Sequence, residues 1–177
     1  MTHLNSGNGE ATESSARSRL ALLVPPYIFI YSLAGLWLAI DGWLTGFSSA
    51  LGLWDNVGEA PPFIFSMMFT MAGALLGSAI LGIISFHRYF AIEKSFDSNH
   101  IWGYLFSPLL ALIVGALFFA LFNSGLVVLV GNSSEVTEPL SASLGYFSMG
   151  GIIGYNWDVF VKKLEELSRS LAPSESQ

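Results

Sequence analysis

The sequence predicts an all-α membrane protein with four transmembrane helices in a compact bundle and a short cytoplasmic amphipathic helix at the C-terminus. Three observations favour this class. Apolar residues make up 53% of the 177-residue chain, charged residues make up only 11%, and the mean hydropathy is +0.58. Typical soluble domains carry about 25% charged residues, which cover their surface. A chain with so few charges is better suited to lipid than to water.

Both ends of the chain are polar, and the apolar residues lie between them. Residues 1–18 lack apolar periodicity and predict a disordered cytoplasmic tail, and residues 173–177 predict a second short tail. Between them, residues 19–161 form the predicted transmembrane domain. Residues 156–172 form the predicted amphipathic helix, which overlaps the end of that domain.

Three apolar segments are long enough to cross a bilayer, which takes about 20 residues for about 30 Å of hydrocarbon. They are predicted as spans at about 24–44, 63–86 and 106–130, and the second and third contain no charged residue. Pro25 and Pro26 suit the first turn of a helix and therefore place the start of the first span.

The fourth segment, at about 140–157, is less apolar and contains several glycines and serines. Hydropathy alone would also allow a re-entrant or surface helix. With four crossings all seven Lys and Arg residues lie on one side, whereas with three crossings only four of the seven do. Because basic residues accumulate on the cytoplasmic side, we predict four crossings of a bacterial inner membrane with both termini in the cytoplasm.

Small residues recur at four-residue spacing on three of the predicted spans. Helices in lipid associate through close van der Waals contact, which small residues permit. The candidate helix-packing residues are Gly73, Gly77, Ser78 and Gly82 on the second span, Ala111 and Gly115 on the third, and Gly150 and Gly154 on the fourth. Their spacing leaves open whether the partner helix is internal or belongs to another copy.

Three polar residues near the ends of spans form a candidate polar path. Asp41 lies at the outer boundary of the first span, and its simpler interpretation is a carboxylate solvated among lipid headgroups. The functional alternative is a group that binds a cation or a proton. Asn123 and Ser124 lie in the outer half of the third span. Asn123 is expected to bond a neighbouring helix or, alternatively, to line a path with the other two.

The C-terminal helix carries an apolar stripe on an otherwise charged segment. Asn156 is its predicted N-cap. The stripe consists of Phe160, Leu164, Leu167 and Leu171, which recur at helical spacing. It could lie on the inner leaflet, pack beneath the bundle, or join the same helix in other copies.

These patterns restrict the function. Seven basic residues cannot form the positive surface that nucleic-acid binding requires. The chain has no cysteine, no catalytic motif and no intramembrane pair of acids, so we expect no enzymatic activity, no cofactor and no bound metal. We predict a non-enzymatic multi-pass subunit in the lipid bilayer that associates with itself or with a membrane-protein partner. The alternative is a small oligomeric ion channel or pore.

Overall fold

The computed structural model describes residues 22–54, 60–92, 100–126 and 139–171, and every regular element within them is helical. The helices are α1 (Val24–Thr45), α2 (Ser48–Leu51), α3 (Pro62–His87), α4 (His100–Asn123), α5 (Pro139–Tyr155) and α6 (Trp157–Leu171). A π-helical turn, Arg88–Ile92, extends α3. The all-α class is confirmed for this part of the chain, and both predicted tails lie outside it.

Three helices are long and apolar enough to cross a membrane, namely Val24–Thr45, Pro62–Phe90 and Ile101–Asn123. At 1.5 Å per residue, a helix of 22 residues is about 33 Å long, which matches the hydrocarbon thickness. The three predicted spans are therefore confirmed as candidate membrane-spanning helices. The helix α5 has 17 residues and does not belong to this set. Its full crossing stays a prediction.

Proline and glycine set the ends of α1. Pro25 and Pro26 occupy its first turn, where a missing N–H costs nothing because that group has no partner within the helix. Gly46 ends the helix in a left-handed conformation with φ of 63°, and its N–H donates to the carbonyl of Gly42 at 3.1 Å. A residue without Cβ adopts this conformation at little cost.

The helix α4 differs from its predicted boundaries of 106–130. It begins at His100 and continues through Pro108, which lies inside the helix. Proline lacks an N–H and its ring opens the preceding turn, which exposes carbonyl groups there. The hydroxyl of Tyr27 on α1 donates to the carbonyl of Leu105 at 2.9 Å. A neighbouring helix thus supplies a hydrogen-bond donor within the turn that precedes the proline.

The other end of α4 also differs from the prediction. The helix ends at Asn123 and a turn follows, in which Gly125 has φ of 75°. Glycine favours a helix stop at this point because no Cβ opposes the left-handed conformation. The predicted continuation over residues 127–130 lies outside the described residues.

The helix α3 is the centre of the bundle, in contact with α1, α4 and α5. The most apolar part of α3 is 56% buried inside the protein, against 33% for α1 and 28% for α4. One buried cluster joins α1, α3 and α4 and contains Val24, Ile28, Tyr31, Leu75, Ala79 and Tyr104. A second cluster joins α4 to α6 around Phe118 and Phe160.

Large apolar side chains cover the outside of the bundle. The large apolar residues exposed along α1 alone are Phe29, Ile30, Leu33, Leu36, Trp37, Ile40, Trp43 and Leu44. Soluble monomers rarely expose a continuous apolar surface of this kind. It fits a membrane protein whose helices contact lipid tails.

Candidate functional sites at the helix interfaces and at Asp41

The closest helix pair in the structure is α3 against α5. A Cβ added to Gly73 would overlap the backbone carbonyl oxygen of Phe147, and a Cβ added to Gly77 would overlap that of Gly151. The two backbones are therefore in direct contact. Such proximity brings Cα–H groups to carbonyl oxygens, and each of these weak hydrogen bonds contributes about 0.5–1 kcal/mol.

The contact is reciprocal. A Cβ on Gly150 of α5 would overlap the carbonyl oxygen of Thr70, and one on Gly154 would overlap that of Ala74. Residue numbers increase together on both sides of the interface, so α5 runs parallel to α3. The four-residue spacing puts each pair of glycines on a single helix face, because residues i and i+4 are neighbours there.

The remaining candidate packing residues also lie inside the chain. A Cβ on Gly115 of α4 would lie 3.0 Å from the Cβ of Ala74, and Ala111 is buried. A Cβ on Gly82 would lie 3.0 Å from the hydroxyl oxygen of Tyr31. The structure thus places these small residues at contacts within one chain. None of their faces is left open to a second copy.

A buried polar group lies within the bundle near these contacts. The hydroxyl oxygens of Ser78 on α3 and Ser107 on α4 are 2.6 Å apart, and the hydroxyl of Tyr31 on α1 lies beside Ser78. Ser78 was selected from the sequence for its small size, whereas its hydrogen bond was missed. The available signal was the presence of hydroxyl side chains in three otherwise apolar spans, which usually bond across helices.

Asp41 is buried, with only 8% of its surface exposed. Its Oδ1 accepts hydrogen bonds from the hydroxyl of Thr45 at 2.8 Å and from that of Ser49 at 3.0 Å. Its Oδ2 is also buried and has no hydrogen-bond partner among the described residues. The carboxylate is therefore not solvated among headgroups, and the simpler interpretation of its position is wrong.

The turn after α1 encloses this carboxylate. Phe47 is the one non-glycine residue with positive φ in the described part of the chain, at 60°. Its ring is fully buried and makes an edge contact with Phe69, with ring centroids 4.7 Å apart. The left-handed conformation costs about 1–2 kcal/mol, and burial of the ring offsets this by about 1.5–3 kcal/mol. The turn folds α2 back so that Ser49 reaches Asp41.

The other two members of the candidate polar path lie elsewhere. Asn123 and Ser124 are exposed at the end of α4. The Asn123 amide donates to the carbonyl of Phe119 at 2.9 Å, and the Ser124 hydroxyl donates to that of Leu121 at 2.9 Å. Both side chains bond their own helix. No described hydrogen bond joins either of them to Asp41, so the structure does not bring the three together.

The apolar stripe of α6 packs against α4. Phe160 is buried, and its ring makes an edge contact with that of Phe118 at 5.9 Å. Leu164 packs against the same cluster and Leu167 is partly buried, whereas the side chain of Leu171 lies outside the described residues. On the exposed faces of α6, Lys163 forms an ion pair with Glu166, and Arg169 forms one with Glu165.

The position of Phe160 requires a bend between α5 and α6. The backbone nitrogen of Tyr155 lies beside Gly77, and the next residue of α3, Ser78, contacts Ser107 of α4. A straight continuation of α5 would carry Phe160 away from Phe118, whereas the two rings are in contact. The chain therefore turns back towards α4 after Tyr155.

Asn156 occupies this bend. It is the single non-helical residue between α5 and α6. Its side-chain amide donates to the carbonyl of Ile152 at 3.2 Å. The predicted role of Asn156 was to cap the start of α6, and the described bond instead ends α5. The signal in the sequence was the same, because asparagine favours the ends of helices on either side.

Metal-ligating side chains do not cluster in the part of the chain that the structure describes. No three His, Asp or Glu residues there come close enough to hold an ion together. Comparison with models of protein families, with curated proteins and with solved structures gives no match for this chain.

Proposed function

We propose that this chain is a non-enzymatic, multi-pass subunit of the bacterial inner membrane, with four crossings and both termini in the cytoplasm. The direction of α5 supports the fourth crossing. It runs parallel to α3, and near its start Ser143 accepts a hydrogen bond from the indole N–H of Trp43 at 3.2 Å. A helix lying along a membrane-spanning neighbour over about 25 Å is better explained by a crossing than by a surface position.

The proposal that the chain associates with another copy rests on the face of α5 opposite its glycine interface. This face holds Ser141, Gly145, Ser148 and Ile152, all of which are exposed. A Cβ on Gly145 would have no other atom within 4 Å. Small and hydroxyl-bearing residues facing lipid leave the backbone thinly covered, and they permit another helix to approach closely. The partner that we propose for this face is α5 of a second copy.

The interior small residues cannot serve the same purpose. Gly150 and Gly154 already contact the backbone of α3 and have no free surface for a second copy. Association through them would require α5 to leave the bundle. The exposed face of α5 is therefore the better candidate, since dimerisation there leaves the contacts of the monomer intact.

Cysteine cross-linking tests this association, because the natural chain contains no cysteine. Single variants Ser141→Cys and Ser148→Cys, expressed at native level in membranes, should form disulfide-linked dimers on mild oxidation. The matched control is Leu33→Cys, which lies on the exposed face of α1 and should stay monomeric. Monomers in all variants would contradict self-association. A photoreactive residue at position 148 would then show whether a different membrane protein occupies the face.

The alternative of an oligomeric channel has less support. The glycines Gly150 and Gly154 of α5 pack against the backbone of α3. Asn123 and Ser124 form hydrogen bonds within their own helix. None of these residues therefore lines a polar channel within one chain. Reproducible unitary conductance of the purified protein in planar bilayers would favour the channel over the subunit.

A further inference from the structure

The two oxygens of the Asp41 carboxylate have different environments. Oδ1 accepts two hydroxyl hydrogen bonds, whereas Oδ2 is buried without a partner among the described residues. A buried carboxylate oxygen without a partner is strongly unfavourable in the ionised state. Something with positive charge is expected to accompany this group.

The described segments that surround Asp41 carry no positive charge. No Lys, Arg or His occurs between residues 20 and 86 or between residues 101 and 161. These two ranges contain α1, α2, α5, nearly all of α3 and α4, and both of the connections at the end of the bundle where Asp41 lies. The described helices and turns around Asp41 therefore contain no side chain that could balance its charge.

We propose that Asp41, Thr45 and Ser49 form a binding site for a small monovalent cation, with Na⁺ as its natural probe. Ser49 donates its hydroxyl proton to Oδ1, whereas the one hydroxyl proton of Thr45 is shared between Oδ1 at 2.8 Å and the Asp41 carbonyl oxygen at 2.9 Å. The Thr45 oxygen accepts from the Ser48 N–H at 3.3 Å, and each hydroxyl oxygen still has a lone pair for a cation. The site thus offers carboxylate and hydroxyl oxygens, which suit hard cations. One carboxylate balances a single positive charge, whereas Ca²⁺ sites in proteins gather six to eight oxygens, usually with several carboxylates.

The short distances between the oxygen atoms of the site favour a small ion. The hydroxyl oxygens of Thr45 and Ser49 lie 2.8 Å and 3.0 Å from Oδ1, and the ring of Phe47 fixes the turn that carries α2. A large ion would have to separate these groups. Na⁺ or Li⁺ would disturb them less than K⁺.

Access to the site comes through α2. Ser49 is exposed while its hydrogen-bond partner Asp41 is buried, so one side chain separates the carboxylate from solvent. The helix α2 has only four residues and leaves few bonds to break when it moves aside. Thr45, the other hydroxyl partner of Asp41, is also exposed, so an ion reaches the carboxylate past two exposed side chains while the spans stay in place.

Thermal unfolding of the purified chain in detergent tests the site. The midpoint is measured at fixed pH and ionic strength in NaCl, in KCl and in the chloride of a bulky organic cation. We expect the midpoint to rise with Na⁺ concentration and to change less with K⁺. Asp41→Asn should lose the response to Na⁺. Asp158→Asn, a change to an exposed aspartate on α6, is the matched control and should keep it.

Milder variants keep the proposal falsifiable if Asp41→Asn does not fold. Thr45→Val and Ser49→Ala each remove one hydroxyl oxygen and should weaken the apparent Na⁺ affinity about tenfold, because each loses a bond to a charged group. A wild-type midpoint that does not respond to Na⁺ would overturn the proposal. So would an Asp41→Asn variant whose midpoint rises with Na⁺ as much as that of the wild type.

Discussion

The ring of Phe47 occupies the space that a side chain on Gly42 would fill. A Cβ added at Gly42 would overlap the ring atoms of Phe47, and the ring is fully buried between this glycine and Phe69. The relationship links the end of α1 to the turn that follows it. It also explains how a short α2 is held over Asp41.

Gly42→Ala is expected to destabilise the protein because the added methyl group displaces the Phe47 ring. Overpacking of this kind costs about 1–3 kcal/mol. The measurement is the free energy of unfolding in detergent, followed by circular dichroism. Gly103→Ala is the control, since a Cβ there meets no atom within 4 Å and alanine favours a helix by about 1 kcal/mol. Equal stability of the two variants would show that Phe47 moves aside freely.

The glycine interface between α3 and α5 gives a second prediction. Gly150→Ala should separate the two helices, because its methyl group would meet the carbonyl oxygen of Thr70, and a backbone cannot rotate away as a side chain can. We expect a loss of about 2 kcal/mol or more in unfolding free energy. Gly145→Ala on the same helix has open space and should not destabilise the monomer, because alanine favours a helix by about 1 kcal/mol. If both variants lose stability, the loss comes from replacing a glycine within α5 and not from its contact with α3.

The spacing of the glycines indicates which helix faces permit a close approach, but it does not show the partner. Gly73 and Gly77 were visible as one small surface, and Gly150 and Gly154 as another. A helix face shows how closely another backbone can approach, while the choice of neighbour depends on how all four helices arrange themselves. That arrangement could not be derived from local periodicity, so a second copy remained possible for each face.

The sequence predicted the position of Asp41 at the end of a span, but it did not predict the burial of its side chain. Hydropathy located the residue at the end of a span, but burial depends on the turn at Phe47. A phenylalanine in the left-handed region opposes local preference, so only its contact with Phe69 reveals the turn. Likewise, the third span was predicted to begin at about residue 106, whereas the helix begins at His100 and continues through Pro108. A hydrogen bond from Tyr27 to the turn before this proline is a tertiary contact that hydropathy does not reveal.

The hydrogen bond from Tyr27 to the carbonyl of Leu105 supports a third prediction. Tyr27→Phe removes the donor and should cost about 0.5–1.5 kcal/mol of unfolding free energy. In the background Pro108→Ala, the helix regains an N–H and its turn closes. The same loss of the hydroxyl should then cost less. A double-mutant cycle measures the difference, and additive effects would show that the tyrosine does not compensate for the proline.

The docking of α6 on α4 gives the last prediction. Phe160→Ala removes the ring that contacts Phe118, and we expect amide hydrogen exchange across α6 to accelerate while exchange in α3 is unchanged. The separation of the two effects follows from the bend at Asn156, which joins α6 to the bundle through a single non-helical residue. Val161→Ala is the matched control, since this neighbouring side chain is exposed. Phe118→Ala should reproduce the effect from the other side of the contact. If exchange accelerates equally throughout the chain, α6 is part of the cooperative core rather than a separately docked helix.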